Sequence, residues 1–172
     1  AKRYYEQHAI FEASDDKKWL VVSLEAYGVP PNAVVEVVVT NEKDKKYDAG
    51  VRAVGSTLER RVKLHKAGGK KVEAVTMHVQ ADANSQIEVY AEKDNEIVFV
   101  VAGYWTGSIY QEAFQTFNEV GQGAWVDENL TDEGIGANQV VEILVANIDD
   151  KDPRVGGVRA KGPGRDRKFM LH

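Results

Sequence analysis

Short apolar runs separated by turn-forming residues follow one another along the chain. The run at residues 34–40 is rich in valine and other β-branched residues, a composition that favours a pleated sheet. Apolar and polar residues alternate at 87–91, and residues 97–104 are apolar enough to be buried on both faces. Similar runs at 5–11, 19–24 and 74–79 give a strand pattern spaced by roughly 8–12 residues. The pattern predicts an all-β antiparallel β-sandwich of jelly-roll type.

Two stretches of the chain resemble each other. Roughly one aligned position in three is identical, against roughly one in sixteen expected by chance. Trp19 aligns with Trp125, and Gly28 with Gly134. The other pairs used below are Tyr4 with Tyr110, Glu6 with Glu112, Leu24 with Leu130, Val34 with Val140, Val35 with Val141, Glu36 with Glu142, Val37 with Ile143, Asn41 with Asn147, Gly50 with Gly157, Arg52 with Arg159, Ala53 with Ala160, Arg60 with Arg167, and Arg61 with Lys168.

The repeat predicts an A-B-A′ organisation. Segment A covers residues 1–65 and segment B covers 66–106, so that residues 1–106 form the first β-sandwich unit. Residues 107–172 form a partial second repeat, A′, which has no B of its own. Three arrangements stay open: A and A′ pack as halves of one domain, A′ is completed by a neighbouring subunit, or the chain is a window on a longer tandem array.

An A′ without B leaves a sheet edge unpaired and the apolar face of residues 140–145 uncovered. Such edges and patches recruit other chains, so we expect a neighbouring subunit to cover A′. The recurring arginines are expected to form ion pairs with Glu36 and Glu142 and to fix strand or subunit register. The predicted assembly-interface residues are Arg159, Arg167, Val141, Leu144, Phe169 and Trp105, the last because it has no repeat partner.

Composition narrows the functional classes. The 172 residues carry 22 basic and 27 acidic side chains, a net charge of −5, which argues against a general nucleic-acid binder. Cysteine is absent, so disulfide frameworks, thiolate zinc sites and cysteine nucleophiles are excluded. No apolar run approaches the roughly 18 residues of a membrane span. We therefore expect no nucleic-acid partner and no membrane span.

The chain lacks a catalytic constellation. His8, His65, His78 and His172 show no metal-ligand spacing, and Ser56 lies outside a nucleophile-elbow frame. We expect no enzymatic activity, no catalytic residue and no cofactor. Calcium is a minor hypothesis, because loop carboxylates supply the hard oxygen ligands that it prefers, although solvated loops are the favoured interpretation. The weak calcium candidates are Asp127, Asp132, Asp149, Asp150 and Asp152.

Aromatic residues leave a second class of function open. Trp19, Trp125, Tyr27, Tyr104 and Trp105 are numerous enough to form a carbohydrate platform. Large aromatics also fill sandwich interiors, and a core role is the favoured interpretation for these residues. A carbohydrate-binding β-sandwich module with exposed aromatics is therefore the alternative function.

Three motifs carry a resemblance to known proteins. They are GVRAVGSTLER at residues 50–60, VTMHVQADANSQIEVYAE at 75–92 and GYW at 103–105. Together they resemble β-sandwich modules of viral, especially tailed-phage, structural proteins. The resemblance implies a non-enzymatic structural protein. The expected function is therefore self-assembly, in a virion or in an extracellular or cell-surface filament, tube or layer, with itself and other structural proteins of the same particle as partners.

Overall fold

The computed structural model describes residues 2–67, 73–113, 123–131, 134–145, 147, 154–162 and 167–171. The chain forms two compact units, Ala1–Phe114 and Gln115–His172. Residues 107–113, which the sequence alignment assigns to A′, therefore belong to the first unit. His65 lies among the described residues, whereas His172 lies outside them.

Eight strands make up the described part of the first unit. In chain order they are β1 (Arg3–Glu12), β2 (Trp19–Ser23), β3 (Val34–Asn41), β4 (Tyr47–Arg52), β5 (Arg61–Leu64), β6 (Glu73–Gln80), β7 (Gln86–Ala91) and β8 (Ile97–Thr106). A single 3-10 turn, Glu25–Tyr27, follows β2. The described residues contain no α-helix.

The eight strands form two four-stranded antiparallel sheets. The first sheet has the order β1-β8-β3-β6 and the second has the order β2-β7-β4-β5. All six apolar runs identified in the sequence of the first unit fall in strands. The prediction of an all-β antiparallel fold is therefore confirmed.

Inward-facing residues of both sheets form one hydrophobic core. Alternate residues of β3, namely Val35, Val37 and Val39, are fully buried, as the two-residue period of a strand requires. They join Val89 of the second sheet and Phe99 of β8 in a single cluster. Burying such side chains contributes about 1.5–3 kcal/mol each, so this cluster accounts for much of the stability of the first unit.

Strands β4 and β5 lie outside the apolar runs identified in the sequence. Residues 47–52 form a strand between β7 and β5, in which Ala49 and Val51 are fully buried. Gly50 fits there because a Cβ on it would lie 1.9 Å from the carbonyl oxygen of Arg60. Gly50 therefore permits the close approach of the two strands.

The second unit contains a two-stranded antiparallel hairpin, β9 (Arg154–Gly157) and β10 (Lys168–Leu171). The alignment predicts that residues 140–146 mirror residues 34–40 of β3, but 140–145 form no strand, and for them this prediction is wrong. Residue 146 lies outside the described residues. In the first unit β3 lies between β8 and β6, and both of these strands come from segment B. Within the described residues of the second unit, the sheet consists of β9 and β10 alone, and no strand pairs with residues 140–145.

A glycine-ended turn occurs in both units. Gly28 has φ +75° and donates its N–H to the Glu25 carbonyl at 2.9 Å, while Val29 donates to Leu24 at 3.3 Å. The aligned Gly134 also has φ +75°. In that turn, N–H groups of residues 134 and 135 bond to the carbonyls of residues 131 and 130 at 3.0 and 3.2 Å. The left-handed backbone favours glycine at both positions.

Candidate functional site

Glu36 lies on the outer face of the first sheet, opposite Gly103 of β8 and His78 of β6. Tyr4 Oη donates to Glu36 Oε1 at 3.3 Å, and His78 Nε2 is 3.3 Å from Glu36 Oε2. Burial and the adjacent Glu36 carboxylate raise the pKa of Tyr4. A Cβ on Gly103 would lie 2.1 Å from Tyr4 Oη, so glycine makes room for the tyrosine ring.

Tyr4 and His78 contact this carboxylate, and two further rings, Trp105 and Tyr110, lie against them. We call these four rings the aromatic cluster. The Tyr4 and Trp105 centroids are 4.6 Å apart, and His78 lies 5.2 Å from Trp105 and 6.2 Å from Tyr110. Tyr4 is 42% exposed and Trp105 is half-buried. The predicted contact residue Trp105 therefore takes part in an accessible group of rings rather than in the core.

Arg60 forms a buried polar corner at the edge of this cluster. The residue is 3% exposed, and its Nη1 donates to Glu112 Oε1 at 3.1 Å. Its Nη2 donates to Tyr110 Oη at 2.9 Å. Glu112 Oε1 also accepts the Ala53 backbone N–H at 2.6 Å. Tyr110 and Glu112 thus both accept hydrogen bonds from the Arg60 guanidinium and fix its position. We call this arrangement the arginine clasp.

The outer face of the second sheet carries a different arginine site. The guanidinium of Arg52 lies 4.1 Å from the ring centroid of Trp19, and its Nε donates to Glu88 Oε2 at 2.5 Å. The other Glu88 oxygen accepts the Gly55 N–H at 3.1 Å. Glu88 is 9% exposed, so a carboxylate and a cation share a largely desolvated position. Such a pair fixes geometry firmly because both charges would be costly to leave alone.

The second unit repeats the pairing of an arginine with a tryptophan. The guanidinium of Arg159 lies 4.3 Å from the Trp125 ring centroid, and Lys168 Nζ lies 5.6 Å from it. The sequence alignment pairs Trp125 with Trp19 and Arg159 with Arg52. Each tryptophan therefore stacks against the aligned arginine of its own unit.

The hairpins of the two units also agree in register. Gly50 pairs with Arg61, and Gly157 pairs with Lys168, the residue aligned with Arg61. A Cβ on Gly157 would lie 2.1 Å from the carbonyl oxygen of Arg167, as a Cβ on Gly50 would lie 1.9 Å from that of Arg60. Arg167 consequently takes the same hairpin position as Arg60, but it is exposed.

Aligned apolar positions differ in burial between the units. Val34 is 6% exposed whereas Val140 is fully exposed, and Val37 is fully buried whereas Ile143 is 37% exposed. The second unit also has an open apolar groove, lined in part by Val141, Ile143, Val145, Val158, Arg167 and Lys168. We call this surface the basic-rimmed groove.

Some of the predicted interface residues line this groove, and others lie elsewhere on the chain. Val141, Arg159 and Arg167 line the basic-rimmed groove. Leu144 is 38% exposed and Val141 is half-buried. The side chain of Phe169 lies outside the described residues, so its predicted role stays a prediction.

Only one of the five calcium candidates, Asp127, lies among the described residues. Asp127 Oδ2 accepts from Lys161 Nζ at 2.6 Å, an exposed ion pair that raises the pKa of Lys161. Within the described residues, no group of three or more candidate ligands is placed to hold a metal ion. The other candidates lie outside the described residues: Asp132, Asp149, Asp150 and Asp152.

Sequence reasoning missed the partners of the buried arginines. It paired the recurring arginines with Glu36, but Glu88 binds Arg52 and Glu112 binds Arg60, while Glu36 faces Tyr4 and His78. The available signal for Glu112 was its recurrence with Glu6 in the alignment. Glu88 belongs to segment B, which occurs once, so the repeat gave it no such signal.

No helix among the described residues is long and apolar enough to cross a membrane.

Comparison with known proteins yields no relative. No family model matches the chain, and neither a curated protein nor a solved structure matches it.

Proposed function

We propose that this chain is a non-enzymatic structural protein that self-assembles through jelly-roll β-sandwich modules. The single observation that carries the proposal is the exposed apolar face of the second unit, at positions whose aligned residues are buried in the first unit. Contiguous exposed apolar surface is typical of interaction sites.

The strand order supports the jelly-roll part of the proposal. In a jelly roll, eight strands form two four-stranded sheets through two Greek keys. Rolling up a hairpin of eight strands places strand 1 beside strand 8 and strand 2 beside strand 7. The orders β1-β8-β3-β6 and β2-β7-β4-β5 have these neighbours. Viral capsid and lectin domains use this architecture, in agreement with the resemblance in the sequence.

Local geometry supports the A-B-A′ repeat. Aligned residues form a glycine-ended turn, a tryptophan–arginine stack and a hairpin of equal register in both units. Asn41 and the aligned Asn147 are also both buried. Four separate agreements at aligned positions favour a duplicated unit over chance similarity.

Completion by another copy explains the exposed face. In the first unit, segment B supplies β6, β7 and β8, and residues of these strands cover the aligned valines of β3. At the aligned positions of the second unit, Val140 is fully exposed and Ile143 is 37% exposed, while Val141 and Val145 are half-buried. Association that covers them removes apolar surface from water, at about 25 cal/mol per Å². The setting that fits is a virion or an extracellular or cell-surface assembly.

Sedimentation velocity over a range of protein concentrations tests this function. We expect a concentration-dependent shift from monomer to larger species, and negative-stain microscopy of the concentrated sample is expected to reveal regular particles or polymers. Leu144→Asp is expected to weaken association, whereas Val21→Asp, at an exposed position of β2, serves as the matched control and leaves it unchanged. A wild-type chain that stays monomeric at every concentration contradicts the proposal.

The aromatic cluster favours one second candidate, carbohydrate binding. Tyr4 and Trp105 offer accessible ring surface against which the apolar face of a sugar packs, and Glu36 lies beside them as a hydrogen-bond acceptor. A glycan array followed by calorimetry tests it. Binding that is lost in Trp105→Ala and kept in Trp125→Ala supports this function, and an array without any bound glycan contradicts it.

A further inference from the structure

The arginine clasp is a junction built from residues of both repeats. Arg60 belongs to segment A, whereas Tyr110 and Glu112 open segment A′ in the sequence alignment. Their contacts are charge-assisted and nearly dry, because Arg60 and Glu112 side chains are 4% and 9% exposed. The Ala53 N–H adds a third contact to the same carboxylate. The first residues of one repeat thus bind the arginine corner of the repeat before it.

The residues aligned with the two sides of this junction lie on the surface of the chain. Tyr4 and Glu6 align with Tyr110 and Glu112, and both are exposed at the start of β1. Arg167 aligns with Arg60 and is exposed at the rim of the basic-rimmed groove. The chain therefore presents a tyrosine–glutamate head on the first unit and an arginine corner on the second.

Strand β1 suits docking for two further reasons. It is an edge strand of the first sheet, and one side of its backbone has no strand beside it among the described residues. Its exposed residues are also apolar at several positions: Tyr4 and Tyr5 are 42% and 40% exposed, and Ile10 is 57% exposed. A strand with an open edge, apolar side chains and a carboxylate complements an apolar groove with a basic rim.

We propose that β1 of a second copy covers the basic-rimmed groove, with Tyr4 and Glu6 binding Arg167 as Tyr110 and Glu112 bind Arg60. This inference rests on the proposed function and names its contact. Glu6 accepts from Arg167 and from the Ala160 N–H, the group aligned with the Ala53 N–H. The contact joins unlike surfaces of identical chains, so repetition produces a ring or an open polymer.

Charge exchange between the two halves tests this contact. We expect Glu6→Arg and Arg167→Glu each to weaken self-association at least about tenfold, because each places like charges together. An equimolar mixture of the two variants restores association for two reasons. The unchanged Glu6 of one variant meets the unchanged Arg167 of the other, and the introduced arginine meets the introduced glutamate. Glu42→Arg and Lys161→Glu make the same charge changes at other exposed positions and are expected to leave the dissociation constant unchanged.

The outcomes separate this contact from the proposed function. Weakening by both single variants, together with recovery in the mixture, supports the contact. Wild-type association that persists in Glu6→Arg, or a mixture that stays dissociated, overturns the contact and leaves self-assembly standing. A wild-type chain that never associates overturns both. Circular dichroism checks that each variant keeps its β-sheet content, and Glu6→Gln provides a milder second variant with a smaller loss of the same sign.

Discussion

Removing the carboxylate of the arginine clasp is expected to destabilise the first unit. Glu112→Ala leaves the Arg60 guanidinium buried without its counter-charge and the Ala53 N–H without its acceptor. The aligned variant Glu6→Ala is the matched control. It removes the same side chain from an exposed position, where substitutions usually change the free energy of unfolding by less than about 0.5 kcal/mol.

The magnitude follows from the geometry. Opposite charges 3.1 Å apart attract by about 5 kcal/mol at an effective dielectric constant of about 20. Breaking a buried pair on one side costs about 3–5 kcal/mol. Arg60 keeps the Val51 and His78 carbonyls and the Tyr110 hydroxyl as acceptors. We therefore expect the lower end of that range, about 3 kcal/mol.

Urea denaturation measures this loss. A Trp125→Phe background restricts tryptophan fluorescence to Trp19 and Trp105, which both belong to the first unit. With a slope of about 1.5 kcal/mol per molar urea, the midpoint is expected to fall by about 2 M. A loss below about 0.5 kcal/mol for Glu112→Ala, or an equal loss for Glu6→Ala, would refute the reasoning.

Three further predictions concern other contacts. Gly103→Ala is expected to cost about 1 kcal/mol in urea denaturation by displacing the Tyr4 ring, and in a Tyr4→Ala background the cost disappears; an unchanged cost contradicts this contact. Glu88→Gln is expected to cost about 1–3 kcal/mol by weakening a buried ion pair, whereas Glu59→Gln, at a 55% exposed carboxylate, costs nothing measurable by the same assay. A backbone N–H and a lysine ammonium lower the pKa of Asp16 to about 2, below its unfolded value of about 3.9. Stability from this group is complete above about pH 4 and lost towards about pH 2, so Asp16→Asn should flatten the pH dependence of unfolding there.

Six strands of the first unit were predictable from local pattern, whereas two, β4 and β5, were not. β3 and β8 are apolar and β-branched, so burial and propensity agree. β4 contains Asp48 and Gly50 within a polar stretch, and only the approach of the Arg60 carbonyl explains the glycine. That approach is a tertiary contact, which strand periodicity does not encode.

The second unit illustrates the opposite error. Residues 140–145 match β3 in sequence but form no strand, and no described strand of the second unit pairs with them. A central strand needs a partner on each edge, so similarity in sequence does not by itself produce one. The candidate sites were predictable in part: the alignment identified Arg159 and Arg167, and Trp105 was singled out because it has no repeat partner. The partner of Arg60 is 52 residues away in sequence, and its choice depends on how the chain folds back.

Hydrogen–deuterium exchange of the second unit tests the central claim of self-assembly most directly. The backbone amides of residues 140–145 are followed in dilute, monomeric protein and in concentrated, associated protein. We predict fast exchange in the monomer and strong protection in the assembly, because a neighbouring copy then covers the groove and supplies strand partners. Protection that is already complete in the monomer, or exchange that stays fast in the assembled state, would contradict completion of the second unit by another copy.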